Sequence, residues 1–202
     1  MNEMNRGGRQ PSEINWDEVL VFPMEEIKLP PLEKRSGWIL DIGAGGEGII
    51  GLLGGTRVVG VDKSRTELEE TSDDSLRIVM DARDLGFLDG TFETATLFYS
   101  LMYMSLETVD NVLEEVKRVL KPGGELYIWD AIVEVPPEVD KKYFLVQVSV
   151  VFPDGRLGEG RYGMDIRRQG IETFKEIAQH HGFVVLNEEA KEHSFFLRLR
   201  KE

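Results

Sequence analysis

The chain has 202 residues, the length of one globular domain with at most a modest insertion. Its 37 acidic residues outnumber its 24 lysines and arginines, and the formal net charge of −13 argues against an extended surface for nucleic-acid phosphates. The absence of cysteine excludes disulfides, thiolate metal sites, iron–sulfur clusters and cysteine nucleophiles.

Targeting and membrane signals are absent from the sequence. Residues 1–12 lack the apolar core of a secretory signal. No apolar run approaches the ~18 residues that a membrane span needs. These features predict a cytoplasmic protein that has no membrane segment.

The first part of the chain is predicted to be a tail and a flap, followed by alternating strands and helices. Residues 1–11 are polar and predict a loose tail, and residues 14–28 predict an irregular or partly helical flap. Short apolar runs predict five strands, at residues 38–42, 57–61, 76–80, 94–99 and 126–129. Helices are predicted at 49–53, after the Ser64–Glu67 capping pattern, and along the apolar stripe of 109–120. The alternation favours an α/β fold with a parallel sheet and helices on both faces.

The last third of the chain has a different pattern. A β-rich stretch, a Pro-Asp-Gly turn and a second stretch predict a β-hairpin insertion at about residues 141–165. A helix at 171–178 and two adjacent antiparallel strands at 183–186 and 195–199 are predicted to follow. The hairpin would either cover an acceptor pocket or mediate the contact in a homodimer, and its pattern does not decide between them.

A glycine-rich loop joins the first predicted strand to the first helix. Gly43, Gly45 and Gly48 fit the G-x-G-x-x-G pattern, in which the backbone turns tightly and approaches a ligand closely. The helix that follows would offer free amides to that ligand. The pattern alone fits a nicotinamide dinucleotide, an adenosyl cofactor, or a tight turn without a ligand.

Acidic residues stand at three strand ends, and two of them, Asp41 and Asp81, separate the two cofactors. Asp62 closes the second strand, 21 residues after Asp41, and suits the hydroxyls of a ribose in either cofactor. Asp41 stands two residues before the first glycine, where a carboxylate would repel a pyrophosphate but would suit an ammonium group. Asp81 follows the third strand and would accept from an exocyclic amine such as that of adenine.

Together these stretches resemble the class I S-adenosylmethionine-dependent methyltransferases. The resemblance covers about residues 36–132, on the segments 39–48, 58–64, 78–84, 92–104 and 112–130. It implies an α/β, Rossmann-like three-layer sandwich, with a mostly parallel seven-stranded sheet whose last strand is antiparallel. It also implies a methyltransferase domain at 36–202 after the tail and flap at 1–35, with S-adenosylmethionine as cofactor and S-adenosylhomocysteine as product.

The resemblance implies cofactor-binding roles by position. Asp41 and the glycine loop would hold the methionine half, Asp62 the ribose, and Asp81 the adenine amine. The implied cofactor-binding residues are Asp41, Gly43, Ala44, Gly45, Asp62, Lys63, Asp81, Ala82, Tyr99, Ser100 and Leu101. Glu47 departs from the family pattern, which has a third glycine there, and would either face solvent or crowd the site.

The acceptor is predicted to be a small molecule. The Asn/Asp-Pro-Pro-Tyr/Phe motif of enzymes that methylate amines of nucleobases or glutamine is absent, and no metal-ligating acidic cluster can be assembled. Met102, Tyr103 and Asp130 follow the fourth and fifth strands and are predicted to contact the acceptor. No catalytic base is assigned, because all three histidines lie in the last third of the chain.

Two other functions stay open. A non-catalytic S-adenosylmethionine-binding regulator or partner protein is compatible with the scarcity of bases and with Glu47. An NAD(P)-dependent reductase would need a further parallel strand, whereas the predicted ending is antiparallel.

Overall fold

Two β-sheets and four α-helices make up the part of the chain that the computed structural model describes, residues 15–32 and 36–202. In chain order the strands are β1 (Val19–Val21), β2 (Glu25–Lys28), β3 (Ile39–Ile42), β4 (Val58–Asp62), β5 (Leu76–Val79), β6 (Phe92–Phe98), β7 (Leu120–Ala131), β8 (Tyr143–Val151), β9 (Leu157–Asp165), β10 (Phe183–Ala190) and β11 (Ser194–Lys201). The helices are α1 (Ile49–Gly54), α2 (Arg65–Glu70), α3 (Leu106–Val119) and α4 (Ile171–His180). The predicted tail at 1–11 lies outside the described residues.

The larger sheet has seven strands in the order β10-β11-β7-β6-β3-β4-β5. The five strands from β7 to β5 run parallel to their neighbours. β11 is antiparallel to both β7 and β10. This arrangement confirms the predicted mostly parallel sheet with an antiparallel last strand.

The smaller sheet is built on the predicted hairpin. β8 and β9 pair antiparallel over their whole length. β1 and β2 lie parallel along the other edge of β8, with Val19 opposite Tyr143 and Glu25 opposite Val148. The prediction of an irregular or partly helical flap at 14–28 is therefore wrong for β1 and β2, while residues 16–18 form a short 3-10 helix. β1 and β2 are extended because they pair with the edge of β8 that β9 does not occupy.

The two sheets pack against each other through one shared apolar cluster. Inward-facing side chains of β8, including Phe144, Val146 and Val148, are buried against Phe98 and Trp129 of the larger sheet. α1 belongs to the same apolar cluster, while α3 and α4 cover the opposite face. The predicted three layers are present, and a β-sheet supplies part of one outer layer.

α3 shows how local sequence sets an element. The Ser105 hydroxyl caps it by accepting from the Thr108 amide at 3.2 Å, and the apolar stripe from Val109 to Val119 faces the core. The Lys-Pro-Gly-Gly segment at residues 121–124 follows this helix and lies inside β7 as a bulge, in which Gly123 has a φ of +73°.

No helix in the described ranges has an apolar stretch long enough to cross a membrane.

Candidate cofactor-binding site

A cleft of about 380 Å³ opens at the carboxyl ends of β3, β4, β5 and β6. Its walls include Gly43 of the β3–α1 loop, Asp62 and Lys63 after β4, and Ser100 after β6. This edge is where open α/β sheets bind their ligands. The fold therefore brings together Gly43 and Ser100, which are 57 positions apart in the sequence.

The glycine loop lies close against the turn that follows β6. Gly43 has a φ of +73°, a conformation that favours glycine. A Cβ added to Gly43 would lie 2.5 Å from the Cβ of Ser100, so the two backbones could not approach as they do with a larger residue. Gly48 also has a positive φ, of +60°, at the start of α1.

Asp62 connects the second loop of the cleft to the glycine loop. Its Oδ1 accepts from the Ser64 amide at 2.8 Å and its Oδ2 accepts from the Gly45 amide at 3.3 Å. The Ser64 hydroxyl in turn accepts from the Glu67 amide, which confirms the predicted cap of α2. Asp62 thus presents a fixed carboxylate to the cleft.

Asp81 lines the cleft together with Ala82 and Arg83. Arg83 donates to Asp81 from its backbone amide at 2.9 Å and from its guanidinium at 2.6 Å. These hydrogen bonds lower the pKa of Asp81 to about 2. The carboxylate is therefore charged at neutral pH, and an adenine amine would share it with Arg83.

Asp41 lies behind the glycine loop rather than in the cleft. Its side chain is buried, and Oδ1 accepts from the Thr96 hydroxyl at 2.7 Å. With Ala44, Gly45, Phe98 and Tyr162 it lines a second space of only about 10 Å³. A space of this size is at the limit for one water molecule. Asp41 is therefore placed to support the loop.

The turn after β6 contains a strained residue. Tyr99 has a φ of +50°, the one positive value among the non-glycine residues that the structure describes. Its ring is fully buried and stacks on Tyr162 of β9, with centroids 4.5 Å apart, and this burial raises the pKa of the Tyr99 phenol. Leu101 packs into the core on the α3 side. Ser100 lines the cleft, and its side chain is buried.

Two of the three residues predicted to contact an acceptor are enclosed by protein. Tyr103 lines the cleft, but Met102 and Asp130 are fully buried. Asp130 accepts from the amides of Met102 at 3.2 Å and Ala131 at 2.8 Å, and from the Gln169 side chain at 3.1 Å. Burial raises the pKa of Asp130 to about 7 in spite of these donors. The prediction that Met102 and Asp130 contact the acceptor is therefore corrected, and Asp130 instead holds the turn after β6.

Several residues of the site were missed by sequence reasoning. Met104, Ser105 and Thr108 line the cleft from the start of α3. The cap at Ser105 was a readable signal for them, because it places the helix start directly after the turn. No local sequence motif predicts that Tyr162 packs against Tyr99, because this contact depends on how the hairpin packs against the larger sheet.

The polar residues of the site fit an adenosyl cofactor. Asp62, Ser100 and the backbone of Gly43 line one cleft. A Cβ at Gly45 would crowd Glu67 and come within 3.1 Å of Asp62 Oδ2, so the cradle depends on glycine. Within residues 15–32 and 36–202, no group of three or more His, Asp or Glu side chains forms a candidate metal site.

Comparisons with known proteins agree with this site. Residues 40–128 match the family model described as "Methyltransferase domain". The sterol 4-C-methyltransferase strm-1 of Caenorhabditis elegans is 34% identical over 104 residues, which are 46% of this chain and 30% of that protein. The ubiquinone/menaquinone biosynthesis C-methyltransferase UbiE of Desulfotalea psychrophila is 36% identical over 121 residues, 55% of this chain and 47% of that protein. The chain thus spans less than half the length of either relative.

A solved structure shares the fold. A SAM-dependent methyltransferase from Methanosarcina mazei superposes with a TM-score of 0.64 at 20% identity, covering 87% of this chain and 99% of that one. The strand order and the cleft define a Rossmann-like protein built to hold an adenosyl cofactor. Residues 40–128 of the chain are therefore similar to a methyltransferase domain, and the fold resembles that of the S-adenosylmethionine-dependent methyltransferase from Methanosarcina mazei.

Proposed function

We propose that the protein transfers the methyl group of S-adenosylmethionine to a small-molecule acceptor. The observation that carries this proposal is the single cleft in which Asp62, Ser100 and the glycine loop converge. The matched family segment, residues 40–128, includes all three. The curated relatives are named for methylation of sterols and quinones, which are small molecules.

Each wall of the cleft has a distinct task in this proposal. Asp62 accepts from ribose hydroxyls, and Asp81 with Ala82 meets the adenine. Gly43, Ser100 and Tyr103 border the methionine half. When bound, the cofactor supplies a methyl group that its sulfonium has already activated. The protein therefore has to align the acceptor and exclude water rather than generate a strong nucleophile.

A general base is not required for every acceptor, and histidine does not supply one here. His181 Nε2 lies 2.9 Å from Asp110, and His193 stacks on Phe22, both away from the cleft. This arrangement favours an acceptor atom that is nucleophilic without proton removal, or one whose proton is acidic. It also supports a second candidate, a S-adenosylmethionine-binding protein that does not catalyse transfer.

Calorimetric titration with S-adenosylhomocysteine tests the cofactor, with NADH as a parallel control. We expect the first to bind and NADH not to bind. Binding of NADH alone would overturn the assignment in favour of a reductase. A screen of phenolic, quinol and sterol acceptors then separates the two candidates, because S-adenosylhomocysteine forms from S-adenosylmethionine only if methyl transfer occurs. Tight cofactor binding without any turnover would favour the non-catalytic protein.

A further inference from the structure

Strand β9 of the hairpin is attached to both loops that border one end of the cleft. On the edge of β9 that is not paired with β8, the Arg161 amide donates to Glu47 Oε1 at 3.4 Å. Two residues on, the Gly163 amide donates to Tyr103 Oη at 3.1 Å. Amides two residues apart face the same side of a strand, so one edge of β9 contacts both loops.

These contacts account for Glu47, the residue that departs from the family's glycine pattern. Glu47 belongs to the glycine loop, and its carboxylate reaches across to the backbone of the hairpin. A glycine at this position would offer no acceptor to the Arg161 amide. The departure therefore coincides with a contact to the inserted hairpin.

The side chain between the two amides supports the strained turn. Tyr162 stacks on Tyr99 with an angle of 8° between the ring planes. Tyr99 keeps a φ of +50°, a conformation that persists only where the surroundings hold it. The next residue, Ser100, lines the cleft, and its side chain lies against Gly43. Loss of the stack would release the turn that positions Ser100.

The other end of the cleft is held by contacts of its own. Asp62 is fixed by the amides of Gly45 and Ser64, and Asp81 by Arg83. These residues are the ones assigned to the ribose and the adenine. The adenosine end thus contacts the glycine loop through the Gly45 amide, and none of these three contacts involves the hairpin.

We propose that β9 forms part of the cofactor site, and that Glu47 and Tyr162 are positioning residues for the amino-acid half of the ligand. This inference rests on the proposed function, since it presumes an adenosyl-amino-acid ligand. Its consequence is that affinity for the amino-acid half and affinity for the adenosine half respond separately to changes in the hairpin.

Two ligands that differ only in the amino-acid half test this proposal. S-adenosylhomocysteine carries that half, and 5′-methylthioadenosine lacks it. In calorimetric titrations, we expect Tyr162→Ala to weaken the first ligand about tenfold or more and the second by less than about twofold. Glu47→Ala is expected to act in the same direction, and Glu47→Gln to restore affinity, because its amide oxygen can accept from Arg161.

The control is Glu159→Ala, an exposed position on the same strand, which is expected to leave both affinities unchanged. Equal weakening of both ligands, or no change in their ratio, would overturn the proposal. A gain in S-adenosylhomocysteine affinity would also overturn it, because Tyr162 would then obstruct the site. Failure of the unmodified protein to bind either ligand would overturn the proposed function itself. If Tyr162→Ala does not fold, the comparison of Glu47→Ala with Glu47→Gln decides alone.

Discussion

Oδ2 of Asp130 accepts a hydrogen bond from the Met102 amide across 3.2 Å, which joins the end of β7 to the turn after β6. The same carboxylate accepts from Gln169, in the segment that leads from the hairpin to α4. One buried group thus ties three separate segments beside the cleft.

Replacement of Asp130 by asparagine is expected to change the pH dependence of stability. Burial raises the folded-state pKa of Asp130 to about 7, above the ordinary 3.8, so the folded protein binds this proton more tightly than the unfolded chain. The carboxyl therefore lowers the free energy of unfolding progressively as pH rises through that interval. Between about pH 5 and pH 8, we expect the unmodified protein to lose about 2 kcal/mol relative to Asp130→Asn.

Denaturant unfolding of both proteins across this pH range measures the effect of Asp130. The asparagine amide changes the free energy of unfolding by the same amount at every pH. The informative quantity is therefore how the difference in unfolding free energy between the two proteins changes with pH. Parallel pH profiles would contradict the raised pKa.

Removal of the Asp62 carboxylate is expected to weaken cofactor binding. Asp62 fixes the amides of Gly45 and Ser64 and faces the cleft. Hydrogen bonds to a charged group contribute about 1.5–3 kcal/mol each, so Asp62→Ala is expected to lower S-adenosylhomocysteine affinity about 100-fold. Calorimetric titration measures this change, with Asp62→Asn as the milder variant. An unchanged affinity would show that the ribose assignment is wrong.

An added methyl group at Gly45 is expected to disturb the cradle. The new Cβ would collide with Glu67 and lie 3.1 Å from Asp62 Oδ2. We expect Gly45→Ala to cost about 1–3 kcal/mol of stability and to weaken S-adenosylhomocysteine binding. The matched control is Gly170→Ala, where a Cβ would meet no atom within 4 Å and the backbone is extended. Since Gly170 is the N-cap of α4, that variant is expected to cost up to about 1 kcal/mol of stability and to leave S-adenosylhomocysteine binding unchanged. Similar effects of both changes would argue against a steric cause.

The ion pair between Glu125 and Arg198 is expected to stabilise the sheet between β7 and β11. Arg198 contacts both carboxylate oxygens, at 2.8 and 3.1 Å, and Glu125 is 8% exposed. Arg198→Ala would leave this carboxylate with the Tyr127 hydroxyl as a remaining donor. We expect a loss of about 2 kcal/mol, less than for a fully buried pair because the Arg198 side chain is 40% exposed.

Arg198→Lys separates charge from geometry at this pair. Lysine keeps the positive charge but lacks the planar fork, so an intermediate loss is expected in denaturant unfolding. Full retention of stability in Arg198→Ala would mean that the pair contributes nothing measurable.

The parts of the site that follow a strand end could be read from the sequence. The parallel strands of an α/β sheet end at one edge, so Gly43, Asp62 and Ser100 were bound to meet once the strands were recognised. The cap of α2 at Ser64 was equally readable, because it depends on residues only three positions apart.

Two features could not be read, for different physical reasons. β1 and β2 are strands because of an edge supplied by β8, more than a hundred positions away, and short strands follow tertiary context more than local propensity. The burial of Asp130 could not be predicted, because β7 is covered on both faces. Its residues from Gly124 to Ala131 are all buried, so polar and apolar residues do not alternate between an exposed and a buried face.

The parallel pairing of β1 and β2 with β8 has a consequence for how the chain is made. Val19 leaves the ribosome 124 residues before its partner Tyr143. The apolar side chains Phe22 and Ile27 of the N-terminal segment therefore stay exposed to solvent until the hairpin has been synthesised. Closure of so long a loop is slow, so completion of this sheet is expected to come late in folding and to be the step most exposed to aggregation.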